Sequence, residues 1–300
     1  MTTKKDDPKS SPRRNRTDLL TPEFTPHPPV QPLGLDLLHG PPLAEHIVVI
    51  LGVGPGLGLA IAQVFASRGY TTAILSRSKD RLSKWADELH STAAAFRTQH
   101  GIEVKSGERL SGAFACDAMD NSAITSAIDQ VAQFWPDKTI GSACYNASVR
   151  KRGPFLEQSL DQIQQGVQGS ILAGFTFAQS VLPHLTRVGG NLLVTGATSS
   201  TRGREGFAGF AASKSGLRAM CQSIAREFGP QNVHVTHVIV DGLIESETAL
   251  EFLGMPKGSR FKDGTVLVPA QMAKSWLFLA QQHRSGWTFE MDLRPAREHW

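Results

Sequence analysis

Between Ile47 and Ser67 the chain carries no charge, and its character changes halfway. Ile47-Val48-Val49-Ile50-Leu51 is β-branched or aliphatic throughout, the composition of a strand covered on both faces in a parallel sheet. Gly52, Gly54, Gly56 and Gly58 come next on alternate residues, and beyond them Leu57/Ile61/Phe65 and Ala60/Val64 recur at helical spacing. A strand therefore turns sharply into a helix through residues without a Cβ. Such a turn lets backbone N–H groups and the positive end of a helix dipole face an anion, which is how nucleotide pyrophosphates are held. An uncharged window of this length also suits a membrane span, but four glycines and Pro55 at its centre argue against one. An ordinary tight turn, or a nucleotide fold that has lost its ligand, produces the same pattern, so the rest of the chain must decide.

Beyond this helix the chain alternates strand and helix. Strands are expected at Thr71 to Leu75, Gly112 to Cys116, Thr139 to Tyr145, Asn191 to Val194 and Val233 to Val240. Helices are expected at Asp80 to Thr98, Ala123 to Phe134, Leu160 to Leu185 as one or two pieces, and Ala211 to Phe228. Right-handed βαβ units at this spacing predict an α/β fold, a Rossmann-type doubly wound parallel sheet of about seven strands, in a single domain over residues 46–300. Trp287 to Pro295 forms the last strand and its exit. Glu247 to Val268, broken by Gly254, Pro256, Gly258 and Gly264, has the length of a lid whose inner face carries Leu250, Phe252, Leu253, Met255 and Phe261.

The first 45 residues differ in kind. They hold nine of the 17 prolines and no apolar periodicity, the composition of a disordered tail. Six basic and two acidic side chains in the first 16 residues account for the whole formal charge of +4, and the remaining 284 residues balance. A nucleic-acid face on the folded part is therefore not expected. The opening of the chain resembles neither a signal nor a transit peptide, so a cytoplasmic protein without a membrane anchor is expected. Cys116, Cys144 and Cys221 are widely spaced in apolar segments and read as core residues, with no metal site.

Ligands of such sheets lie beyond the carboxyl ends of the strands. The residues there are the glycines 52 to 58, Ser76-Arg77, Asp117, Tyr145-Asn146-Ala147-Ser148, Gly196-Ala197-Thr198-Ser199 and Asp241-Gly242. Ser76 and Arg77 suit a ribose 2′-phosphate better than a free 2′-hydroxyl, which favours NADP(H) over NAD(H). Lys214 shares a helical stripe with Phe210, Leu217, Cys221, Ile224 and Phe228, and is the only charge on it. A buried ammonium is costly, so Lys214 either reaches ribose hydroxyls or snorkels out at the helix start.

On these residues the chain resembles the short-chain dehydrogenases/reductases, from His46 to the C-terminus. Gly52, Gly56 and Gly58 fit that family's G-x-x-x-G-x-G, and Asp117 fits the acidic residue beside the adenine. Asn146-Ala147-Ser148 resembles its N-A-G turn, and Asp241-Gly242 its P-G turn. Lys214 fits the lysine on the nicotinamide ribose, and Ser246 stands where a threonine meets the cofactor. The resemblance implies cofactor contacts from these residues together with Gly54, Leu57, Ala147, Gly242 and Ile244. It also implies a homo-oligomer, a dimer or tetramer.

The departures from the family pattern fall on the chemistry. The tyrosine acid, four residues before the lysine, is Phe210 here; the serine thirteen residues earlier is Ala197, and the helix asparagine falls on Ser170. Substitute hydroxyls are Thr198, Ser199 and Tyr145. Two readings remain open: an NADP(H)-dependent oxidoreductase acting on a small, apolar molecule with an altered centre, or a non-catalytic NADP(H)-binding protein. Deleting residues 1 to 40 is predicted to leave melting temperature and cofactor affinity unchanged, since that segment lacks an apolar pattern with which to dock; a clear fall in melting temperature contradicts this.

Overall fold

β1 (His46–Leu51) runs through the middle of a sheet, and its burial on two sides explains its unbroken apolar composition. In the computed structural model, which describes residues 46–298, Ile47, Val49 and Leu51 enter the core on one face while Val48 and Ile50 enter it on the other. The tail expected over residues 1–45 lies outside the described residues.

From β1 the chain winds outward through α1 (Leu57–Ala66), β2 (Thr71–Ser76), α2 (Lys79–Gln99) and β3 (Ser111–Ala115). It returns through α3 (Asn121–Phe134) to β4 (Thr139–Tyr145) on the other side of β1. Next come α4 (Leu160–Val167), a π turn (Gln168–Leu172), α5 (Ala173–Val188), β5 (Asn191–Thr195), α6 (Ala208–Phe228) and β6 (His234–Val240). A short α7 (Glu247–Phe252), α8 (Pro269–Ala280) and β7 (Glu290–Leu293) complete it. All seven strands are parallel, in the order β3-β2-β1-β4-β5-β6-β7. The order reverses between β1 and β4, the switch point at which sheets of this kind bind ligands beyond their strand ends.

Each face of the sheet is closed by helices whose stripes match the sequence periodicity. Ile61 and Phe65 of α1, Leu82 and Leu89 of α2, and Trp276 of α8 cover one face. Ile124 and Ile128 of α3, Phe177 and Val181 of α5, and Leu217 and Cys221 of α6 cover the other. The three cysteines are buried and free, in the core role expected of them. Among the described residues no helix is long and apolar enough to cross a membrane, and no group of three His, Cys, Asp or Glu side chains could hold a metal ion.

Two elements depart from expectation. The segment between the lid and the last strand had no assigned element, yet it forms α8, with Pro269 in the first turn and Met272, Ala273, Trp276 and Leu277 buried. The lid is also less closed than its apolar residues suggest. Leu250 of α7 is buried, but Phe252 and the C-cap Leu253 are 54% and 49% exposed, because a six-residue helix can turn only one side inward.

The strand ends arrive at a common level. Leu51 pairs with Leu75 on one side and with Tyr145 on the other, so Gly52, Ser76 and Asn146 emerge together. Gly52 turns the chain there at φ +95°, its amide and that of Val53 both donating to Leu75 O at 3.0 and 3.1 Å. A Cβ on Gly52 would stand 2.6 Å from Ala147 N, backbone that cannot yield. At Gly54 a Cβ would meet nothing within 4 Å. Gly52→Ala is therefore expected to cost about 2 kcal/mol or more, whereas Gly54→Ala should stay within about 0.5 kcal/mol of the parent. Equal thermal melts of the two variants would contradict this.

Candidate active site

The glycine turn divides by function. Gly52 and Gly58 are pressed against backbone, while Gly54 and Gly56 face open space. Gly56 caps α1 without a side-chain acceptor, and the amides of Leu57 and Gly58 have no acceptor among the described residues. The Leu57 side chain is buried, which leaves its contribution at the mouth of the turn to the backbone. Donors without partners, a helix dipole and a surface free of Cβ atoms together fit a pyrophosphate. Beside this cradle Ser76 is half-buried and Arg77 exposed, at the level where β2 ends. Asp117, beyond β3, is exposed and accepts from Met119 N at 3.0 Å.

Asn146 ties the cradle to the rest of the site. Its backbone amide donates to Leu51 O at 2.9 Å, and its side-chain amide donates to Gly52 O at 3.0 Å. Its side-chain oxygen accepts from the Thr195 hydroxyl at 2.9 Å, joining the ends of β1, β4 and β5. Thr195 O in turn accepts from Lys214 Nζ at 3.0 Å. Ala147 supplies the backbone against which Gly52 packs. Sequence reasoning missed Thr195, whose only signal was its place as the last residue of an apolar strand.

Lys214 does not snorkel. Its side chain is 2% exposed, and burial pulls its pKa down to about 8. Thr195 O is its one hydrogen-bond partner among the described residues, so the amine retains donor capacity of the kind ribose hydroxyls would use. Its Nζ lies 6.0 Å from the centroid of the Phe210 ring, one turn earlier on α6. Phe210 and Ala197 are half-buried, at the positions where an acid and a carbonyl-holding hydroxyl were expected by resemblance. Ser170 lies in the π turn with its hydroxyl buried and without a partner among the described residues.

The substitute hydroxyls are placed unequally. Tyr145 is fully buried, its hydroxyl donating to Gly169 O at 2.9 Å, and burial raises its pKa well above the usual phenol value. A hydroxyl so enclosed holds β4 to the π turn; the structure gives it no path to a substrate. The Thr198 hydroxyl donates to the Asp241 carboxylate, and Ser199 is 9% exposed in the same 3₁₀ turn. Asp241, 4% exposed, also pairs with Arg202 and Arg294 at 3.2 Å each. The carboxylate thus knits β5, β6 and β7 together at their ends. Gly242 comes directly after it, packed on Pro295. Ser246 caps α7, its hydroxyl accepting from Ala249 N at 3.0 Å, and Ile244 bridges to Leu267 near the end of the lid segment.

A family model described as short chain dehydrogenase matches residues 46–252. Peroxisomal 2,4-dienoyl-CoA reductase of Rattus norvegicus is 29% identical over 245 residues, covering 79% of this chain and 78% of the relative. Carbonyl reductase family member 4 of Danio rerio is 24% identical over 244 residues, covering 79% and 92%. A solved short-chain dehydrogenase from Rhodopseudomonas palustris superposes with TM-score 0.65 at 29% identity, over 84% of this chain and 99% of the other.

The buried lysine has a stability signature. Its folded pKa, about 8, lies below the ordinary value near 10.5, so the unfolded chain binds more protons between those limits. Stability should therefore rise with pH from about 8 to about 10, and the penalty present below pH 8 is roughly 3 kcal/mol. Lys214→Met should raise the melting temperature at pH 7 and remove that slope; a variant that melts lower at pH 7 contradicts it.

Proposed function

The chain belongs to the short-chain dehydrogenase family, and on that premise we propose that it is an NADP(H)-dependent oxidoreductase working without the family's tyrosine acid. The observation that carries this reading is the enclosed Lys214 amine, with Thr195 O as its one partner among the described residues, beside the Phe210 ring. An enclosed cation with donors to spare is costly unless a ligand accepts from it. Gly54, Gly56, Leu57 and Gly58 would hold the pyrophosphate, Ser76 and Arg77 the 2′-phosphate, and Asp117 would face the adenine. Asn146, Ala147, Gly242, Ile244 and Ser246 would line the remainder.

Bound nicotinamide supplies or accepts a hydride; the protein supplies placement and charge. Phe210 offers no proton, and the proton of Thr198 is directed at Asp241. Loss of a general acid costs about 10²- to 10⁴-fold, which an unactivated ketone would feel in full. The acceptors that fit are those needing little help from a protein acid, an iminium, or a conjugated double bond whose enolate takes its proton from water. The similarity to a reductase named for a dienoyl thioester favours the double bond. Leu160, Leu172 and Phe175 are exposed on or beside α4 and α5, which suits pairing of two copies through that side.

A second reading, a non-catalytic NADP(H)-binding protein, is favoured by the engaged hydroxyls of Tyr145 and Thr198. Turnover separates the two. The protein should oxidise NADPH with a conjugated enone but scarcely with a simple ketone, and Phe210→Tyr with Ala197→Ser should raise ketone reduction at least tenfold. NADPH should bind more tightly than NADH, with Arg77→Asp erasing the difference. Binding of NADPH without turnover of any acceptor by either protein supports the second reading; equal affinity for the two cofactors removes the role given to Arg77.

A further inference from the structure

The loop after β4 and the loop before α6 lie zipped together. Gly153 N donates to Gly206 O at 3.0 Å, and the Gln158 side chain bonds Gly153 O, Gly206 O and Gly209 N. This zipper brings Arg150 and Arg152 of one loop onto Phe207 of the other. Their guanidinium carbons stand 5.0 and 5.5 Å from the centroid of its ring, and Phe207 is only 8% exposed beneath them. Arg150 also lies 5.4 Å from the ring of Phe252 on α7, bridging the core to the lid.

These cations lack counter-charges. Among the described residues no carboxylate makes an ion pair with Arg150, Arg152 or Arg204, although Arg202, close by in sequence, is paired with Asp241. Arg152 and Arg204 crowd Arg150 closely enough that, after burial, their repulsion depresses its pKa. Three like charges gathered together, two of them on one ring, are electrostatically unfavourable until an anion joins them.

The platform leads back to the proposed reaction site. The Phe207 ring lies 6.4 Å from that of Phe210, whose ring in turn is 6.0 Å from Lys214 Nζ. An apolar floor thus runs from the buried amine to the arginines. We propose that this site takes an organic anion, an unsaturated or aromatic body resting on Phe210 with its carboxylate or phosphate held by Arg150, Arg152 and Arg204. This rests on the dehydrogenase reading for the reacting end of the molecule, and it replaces the expectation of a purely apolar substrate. The planar guanidinium forks suit either oxyanion, and the aromatic faces hold them in place before the ligand arrives. Anion binding would also fix Arg150 against Phe252, steadying α7 over the occupied site.

Calorimetric titration with trans-cinnamate, cinnamyl phosphate and cinnamyl alcohol tests this, on the full chain with and without NADPH. At least one of the two anions should bind tenfold or more tighter than the alcohol, and the tighter anion identifies the charged group. Arg150→Gln/Arg152→Gln should bring that ratio close to one. Should this variant melt well below the parent, Arg204→Gln, which stacks on no ring among the described residues, should lower the ratio at least threefold. Equal affinity for the three probes, including none measurable, overturns the proposal, as does a preference that survives the substitutions. NADPH affinity measured on the same samples keeps the two readings apart. NADPH binding without anion preference defeats only this inference, and the reverse pattern defeats only the nicotinamide assignment.

Discussion

The contact on which the site depends is the close passage of the Gly52 backbone beside Asn146 and Ala147. It is close enough that a single Cβ would break it. Because the two chain segments touch there, the Asn146 side chain can reach both Gly52 O and the Thr195 hydroxyl, and Thr195 O is left to face Lys214. One backbone approach thus sets the glycine turn and the Lys214 amine in a fixed relation across the strand ends. The network is shared among β1, β4, β5 and α6, so its geometry is held by the sheet rather than by any one loop.

On the proposed reading the chemistry beside this frame is altered locally, with Phe210, Ala197 and Ser170 standing where the family resemblance implies a phenol, a hydroxyl and an amide. Nearby, the Asp241 carboxylate gathers Thr198, Arg202 and Arg294 in the turn that resembles the family's P-G. A buried carboxylate with several cationic and hydroxyl partners is strongly bound in place, and removing it would take a counter-charge from both arginines at once. The cluster therefore stiffens one wall of the crevice, and it takes Thr198 out of contention as a free proton donor.

Much of this was legible in the sequence because it rests on period and on small residues. The β1 run, the glycine spacing and the stripe through Lys214 translate directly into a double-faced strand, an open turn and a buried amine. Tyr145 was offered as one of three substitute hydroxyls, but a strand-end position does not say which way the ring turns; the Phe177 ring and Gly169 O draw it into the core. Helix α8 was missed although Pro269 and the spacing of Met272, Ala273 and Trp276 mark it. The pairing of Arg150 and Arg152 with Phe207 had no sequence signal, because it joins loops more than fifty residues apart that only the sheet brings together.

The enclosed Lys214 amine and its proposed contact with the cofactor stand at the centre, and the titration of that amine tests both. Nuclear magnetic resonance of the protein labelled at its lysine side chains, with Lys214→Met for assignment, reads that state directly. One amine is predicted to titrate near pH 8 in the free protein, more than two units below the ordinary lysine value, and its resonance to shift when NADPH is added. An amine that titrates near 10 and ignores NADPH would contradict the enclosure of Lys214 and its place at the cofactor.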